Sequence, residues 1–305
     1  MVHHDPDVEQ LRRTAPAFLA GLRAKSYPEQ RATFDAAMGG EPLLDGVELQ
    51  GLDLSGVPAE KIIHRSAAAD KALLFLHGGG YVIGSIKTNR CLLSRLVIAA
   101  GVTGYHIDYR LAPEHPYPAA LEDALSAYRA ILASGIKPEN LIVGGESAGG
   151  NLATALLLKA RDSGLPQPAG LYLLSPWLDM STAGESYDQV GARDPITSRD
   201  AMRVYAANFL GDRRDDAYTS PVRADLSGLP LIMIQVGTEE VLLSDSLAFV
   251  NRAALAGQGV RLDVWAGMTH SWPFFHAVVR AGITAIEEAA EWMRGRLGIG
   301  ITPNN

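Results

Sequence analysis

The stretch Leu141 to Leu152, LIVGGESAGGNL, restricts the folds open to this chain more than any other. Leu141, Ile142 and Val143 read as a β-strand and Asn151 to Ala160 as a helix; between them Gly145-Glu146-Ser147-Ala148-Gly149 fits G-x-S-x-G. A strand that turns sharply into a helix lifts a serine Oγ clear of the backbone, and small residues two places to either side let strand and helix approach. The pattern is short and the chain carries 31 glycines, so taken by itself it also fits a glycine-rich turn that binds an anion at a helix N-terminus.

The rest of the chain supplies the setting that such a turn needs. Strands are expected at Gly46 to Leu54 and Lys61 to Ser66, an antiparallel start broken at Gly56-Val57-Pro58. Ala72 to Leu76 is wholly apolar, which predicts burial on both faces. Helices at Arg90 to Ala100, Ala119 to Ser134, Asn151 to Ala160, Leu242 to Ala256 and Ala277 to Leu297 then alternate with strands at Val102 to Tyr109, Asn140 to Gly144, Gly170 to Leu174, Leu231 to Val236 and Val260 to Trp265. Alternation of this kind means parallel βαβ units, so the expected fold class is α/β, a mostly parallel eight-stranded sheet flanked by helices. The polar segment from Asp179 to Tyr218 interrupts the alternation and reads as an insertion above the sheet. Residues 1 to about 40 read as amphipathic helix, with Val8, Leu11, Ala15, Phe18, Leu19 and Leu22 at helical intervals and a break at Pro16. Ile301 to Asn305 is expected to fray.

A second glycine cluster follows the third strand: His77-Gly78-Gly79-Gly80-Tyr81. Acyl transfer through a serine leaves negative charge on the former carbonyl oxygen, and backbone N–H groups unobstructed by side chains are natural donors to it. Found together with G-x-S-x-G, this run weakens the anion-turn alternative. In this architecture the chain order is Ser, acid, His. Of the histidines, His270 and His276 follow Ser147; His270 lies in a loop after the eighth strand from which a ring can reach back over the sheet, whereas His276 beside Phe274 and Phe275 reads as packing or surface. His77 reads as a residue that shapes its loop. The acid belongs just past the seventh strand, where Glu239, Glu240 and Asp245 stand; residue types alone do not choose among them.

The remaining composition narrows the partners. A formal net charge of −7 argues against nucleic acid or an anionic membrane, both of which select basic patches. A small uncharged substrate is compatible with it. No apolar run approaches bilayer length, and the N-terminus shows no apolar leader. The single cysteine, Cys91, forms no internal disulfide and reads as packing, which suits a reducing, cytoplasmic setting.

Over nearly its whole length the chain resembles the hormone-sensitive lipase-like family of α/β-hydrolases, the bacterial short-chain carboxylesterases. The resemblance rests on HGGGYVIGS at 77 to 85, DYRLAPEHPYPAALEDA at 108 to 124, GESAGGNLA at 145 to 153, SPWLD at 175 to 179 and MTHSW at 268 to 272. It implies an α/β-hydrolase fold in which Ser147 is the nucleophile and His270 the base, with an oxyanion hole made by the N–H groups of Gly79, Gly80 and Ala148, Gly78 standing behind them. The family's usual D-P-L acid motif is absent; Glu240-Val241-Leu242 lies in register with it, making Glu240 the acid, with Asp245 and Glu239 as alternatives. Arg110 and Glu114 are implied to brace the active-site loops. A helical cap is implied at residues 1–45 and about 180–216, over a catalytic domain at 46–305, with Trp177, Tyr187, Tyr205 and Phe209 as candidate pocket residues. The expected activity is hydrolysis of short-chain acyl esters through a covalent acyl-enzyme, with a small-molecule ester as partner and neither metal nor organic cofactor. A lactone or acetyl-ester hydrolase would use the same triad, and a non-catalytic small-molecule receptor is the rival from another class. The resemblance also implies homodimerisation through Val260 to Trp265 or the helix after it.

Overall fold

The computed structural model describes residues 6–300. The end expected to fray, Ile301 to Asn305, lies outside them, as do the first five residues of the N-terminal segment. Two helices come first, α1 (Pro6–Arg23) and α2 (Tyr27–Met38). There follow β1 (Val47–Asp53), β2 (Pro58–His64), β3 (Ala72–Leu76), α3 (Arg90–Ala100), β4 (Thr103–Ile107), α4 (Ala119–Ala133), β5 (Leu141–Glu146), α5 (Ala148–Asp162) and β6 (Gly170–Leu174). After β6 come the one-turn α6 (Ser186–Gln189), α7 (Arg199–Leu210), β7 (Ile232–Gly237), α8 (Leu243–Leu255), β8 (Val260–Trp265) and α9 (Ala281–Leu297).

Among the described residues the strands form one eight-stranded sheet in the order β1-β2-β4-β3-β5-β6-β7-β8. β1 pairs antiparallel with β2 and β2 with β4, while β3 to β8 run parallel. The fold is therefore that of the α/β-hydrolases. Alternation along the buried strands splits the core in two. Leu74, Leu76, Val143, Leu171 and Ile234 face one side with α4, α5 and α8, while Leu73, Phe75, Ile142, Leu174 and Met233 face the other with α3, α9 and the Val8-Leu11-Ala15 stripe of α1. All five residues of β3 are buried, as its unbroken apolar run predicts.

Two local expectations are corrected. Pro16 does not break the N-terminal helix: it is exposed and α1 runs through it to Arg23. The break comes at Ser26, where the Glu29 carboxylate accepts the Ser26 N–H at 3.0 Å and Pro28 sits in the first turn of α2. β2 begins at Pro58 rather than Lys61, since a missing N–H is tolerated at the first residue of a strand.

The N-terminal helices are tied to the rest by named contacts. Arg31 of α2 donates to the carbonyls of Val82 and Ala112 at 2.9 and 2.8 Å and pairs with Glu114 at 2.6 Å. Arg23 of α1 donates to the Ile196 carbonyl at 3.1 Å, and Arg12 to that of Arg193, both in the segment between β6 and β7. Arg110 instead forks onto Asp123 of α4, with its Nε and Nη2 at 2.9 and 2.7 Å from Oδ1.

Candidate active site

Ser147 sits between β5 and α5 with φ 55° and ψ −119°, in a region L-residues rarely occupy. Its neighbours must be small. A Cβ on Gly145 would come within 2.1 Å of the Gly149 carbonyl oxygen, and one on Gly149 within 2.0 Å of the Leu76 carbonyl oxygen. The Ser147 N–H donates to the Leu174 carbonyl at 2.9 Å and its own carbonyl accepts from Trp177 N–H at 3.1 Å, so the turn is anchored at both ends to the chain leaving β6.

Ser147, His270 and Glu240 come together although 123 residues separate the first two. Ser147 Oγ lies at hydrogen-bond distance, 3.0 Å, from His270 Nε2, and His270 Nδ1–H donates to Glu240 Oε2 at 2.8 Å. The other oxygen of Glu240 accepts from Ser175 Oγ at 2.9 Å and from Gly237 N–H at 2.6 Å, which fixes the fully buried carboxylate. The alternative acids are employed elsewhere. Asp245 Oδ2 accepts the N–H groups of Leu178 and Asp179, both at 3.0 Å, and Glu239 pairs with Arg193 at 2.6 Å. His276 lies apart from Ser147, in contact with Cys91 and Glu41.

The glycine run after β3 forms one wall. Gly79 and Gly80 adopt φ of 107° and 63°; among the described residues neither their N–H groups nor that of Ala148 meets an acceptor. The Gly78 amide is turned to the Glu146 carboxylate, which separates it from the other two. His77 is buried, stacks on Tyr109 with ring centroids 4.1 Å apart, and bonds the Gly78 carbonyl through Nδ1 at 2.8 Å. Burial lowers its pKa to about 4, so it is a neutral loop anchor.

Ser147 and His270 open into a cavity of about 350 Å³. Its apolar wall comes chiefly from Leu11, Phe18 and Leu19 of α1, Phe34 of α2, and Phe274 and Phe275. Of the four aromatic candidates, for each of which ordinary packing is the competing reading, Tyr205 lines it and the others do not. Trp177 is buried beneath the elbow, Phe209 stacks on Tyr81 at 3.7 Å, and Tyr187 packs under Arg199. Sequence reasoning also missed four polar residues. Ser175 holds the acid, Glu146 lies 3.8 Å from His270 Nε2, Ser271 donates to Glu146, and Asp194 accepts the Val241 N–H next to Glu240 at 3.0 Å. For Glu146 the sequence signal was its place inside G-x-S-x-G, and for Ser175 and Ser271 their places in SPWLD and MTHSW; Asp194 lies in none of these motifs.

Burial by itself would lower the His270 pKa, but the Glu240 hydrogen bond and charge, with Glu146 and Asp194 behind them, outweigh it and push the ring up to about 9. In its unprotonated form the ring can take a proton from Ser147, and the surrounding carboxyl groups hold the resulting imidazolium. That is the proton transfer needed for nucleophilic attack by a serine.

Residues 73–274 match the family model described as the alpha/beta hydrolase fold. An acetyl-hydrolase of Streptomyces hygroscopicus is 40% identical over 232 residues, 76% of this chain and 78% of that protein. An esterase of Acinetobacter venetianus is 36% identical over 248 residues, covering 81% of this chain and 82% of its own. Among solved structures, an esterase from the bacterial hormone-sensitive lipase family superposes with a TM-score of 0.92 at 38% identity, over 97% of this chain and all of that one.

The charge arrangement predicts that the His270 ring titrates well above the ordinary 6.5, towards 9, in NMR followed through its Nδ1 proton. Glu240→Gln removes the largest raising influence and moves the midpoint down. An ordinary midpoint in the unaltered protein would contradict the geometry.

Proposed function

The chain belongs to the α/β-hydrolase family, as a carboxylic ester hydrolase of the bacterial hormone-sensitive lipase-like group, and from that premise we propose that it cleaves short-chain acyl esters through Ser147, His270 and Glu240. The observation that carries this reading is the continuous path from Glu240 through His270 to the Ser147 hydroxyl, at 2.8 and 3.0 Å. As Oγ attacks the ester carbonyl, His270 Nε2 takes its proton, and the oxyanion receives the free N–H groups of Gly79, Gly80 and Ala148. The imidazolium then protonates the departing alkoxide. Water, deprotonated by the same ring, releases the acid and restores Ser147.

Residues 1–45 and about 180–216 act in this reading as a cap over a catalytic unit at 46–305. Their mutual ties through Arg12 and Arg23, and the apolar wall that α1 and α2 give the cavity, support that division. A cavity of about 350 Å³ enclosed by these side chains suits short acyl groups. Acetyl esters are the second reading, favoured by the acetyl-hydrolase relative. A receptor without catalysis has no need of a base bonded to the serine.

Among the described residues no helix is long and apolar enough to cross a membrane. A reducing, cytoplasmic compartment, inferred from the single cysteine, belongs to the same proposal. So does a homodimer through β8, an edge strand on which Val264 is 45% exposed.

Ser147→Ala is expected to lower turnover of nitrophenyl esters by about 10⁶-fold with the circular dichroism spectrum unchanged; a variant that keeps substantial turnover rules out this nucleophile. Across nitrophenyl esters of increasing acyl length, kcat/KM peaks at short chains; a peak at acetate selects the second reading, and a rise into long chains refutes the pocket argument. Light scattering should return twice the chain mass, and a monomer mass removes the β8 interface.

A further inference from the structure

Outside the active site, three side chains with metal-binding chemistry converge from three separate parts of the fold. Glu41 stands in the connection from α2 to β1, Cys91 in the first turn of α3, and His276 just after the short 3-10 turn Trp272–Phe275. Their ligand atoms all lie within 4.8 Å of one another. His276 Nε2 is 3.5 Å from Cys91 Sγ and 3.6 Å from Glu41 Oε2. Across a tetrahedral zinc ion, with its usual bond lengths to sulfur, nitrogen and oxygen, the corresponding separations are about 3.5 Å and about 3.4 Å.

The orientation of the histidine adds a second, independent feature. His276 is 3% exposed, and its Nδ1–H donates to the Pro273 carbonyl at 3.0 Å. That bond fixes the tautomer and leaves the Nε2 lone pair directed at Cys91 and Glu41, the support that metal-ligating histidines ordinarily have. A recess of about 10 Å³ bordered by Glu41 and Cys91, with Lys87 and Arg90 also on its wall, lies beside two of the three ligands, and the exposed Glu41 gives a route from solvent.

We propose that Glu41, Cys91 and His276 form a binding site for a thiophilic divalent cation of the zinc type, separate from the catalytic centre and completed by one water. On binding, the Cys91 thiol proton leaves to solvent and an S–metal bond forms; thiolate and carboxylate together balance the two charges of the ion. Arg95 reaches the thiol and faces His276, so its guanidinium opposes any cation held by charge alone. The thiolate and imidazole donors, with a single carboxylate, select against calcium and magnesium and for ions that bond to sulfur and nitrogen. The bound ion would staple the α2–β1 connection and α3 to the segment that carries Phe274 and Phe275 into the cavity.

Titrating the purified protein with cobalt(II) tests the site directly. One equivalent is expected to produce a sulfur-to-cobalt charge-transfer band that zinc displaces and that excess magnesium or calcium does not. C91S abolishes the band while retaining esterase turnover, and E41Q weakens cobalt binding by about tenfold or more. Zinc also slows iodoacetamide alkylation of Cys91 in the unaltered protein, a measurement that needs no variant to fold. Absence of the band at stoichiometric cobalt, its survival in C91S, or alkylation indifferent to zinc would each overturn the assignment.

Discussion

The strained backbone at Ser147 is the constraint on which the rest of the structure turns. A serine at φ 55° and ψ −119° costs about 1–3 kcal/mol relative to relaxed backbone, and it persists only where its surroundings leave no alternative. Those surroundings are other backbone atoms. Gly145 lies against the Gly149 carbonyl and Gly149 against the Leu76 carbonyl, so β5, the start of α5 and the end of β3 meet without side chains between them. The same contact that compels the turn therefore sets the HGGG run beside it, and nucleophile and candidate oxyanion donors share one piece of packing.

Strand order does the remaining positioning. β5, β6, β7 and β8 are consecutive neighbours in the sheet, and each delivers one polar side chain at its carboxyl end: Ser147, Ser175, Glu240 and His270. Neighbouring strands lie roughly 4.8 Å apart, a spacing that short side chains bridge by hydrogen bonds. Ser175 illustrates the consequence, since it donates to Glu240 and accepts the Ser271 N–H at 3.0 Å, joining the β6, β7 and β8 loops. Sequence distance between the reacting groups is thus irrelevant once the parallel order is fixed.

What was legible in the chain follows from how local each determinant is. The elbow and the HGGG run could be read because their glycines answer to contacts within a few residues or to a single crossing of backbones. The alternation of β and α segments was legible for a similar reason, through periodicity. The acid was not legible from residue type, because Glu239, Glu240 and Asp245 differ only in the direction their side chains take; similarity in register pointed to Glu240, and the hydrogen bonds separate the three. The cavity wall was less legible. Trp177, Tyr187 and Phe209 turn into packing, while Leu11, Phe18 and Leu19, which read as an ordinary amphipathic stripe, line the cavity into which the serine opens. An apolar face on a helix specifies that it must be covered, not whether protein or substrate covers it.

The charge around His270 sets two demands against each other. Three carboxyl groups, Glu240, Glu146 and Asp194, raise its affinity for a proton against a burial effect that lowers it. Burial also raises Glu146, and carries Asp194 to about 6, so those two are themselves reluctant anions, while Glu240 is held by Ser175 and Gly237 in the acceptor role a carboxylate fills. A ring with a high pKa takes the serine proton more readily, yet a smaller fraction of it is unprotonated at neutral pH. Because proton transfer strengthens with basicity only in part, the net gain lies in the transition state: the imidazolium is formed beside an anion already in position, where no solvent has to reorganise. Burial sharpens this, since Glu240 is wholly buried and His270 nearly so, and the attraction between them is stronger at low dielectric than in water.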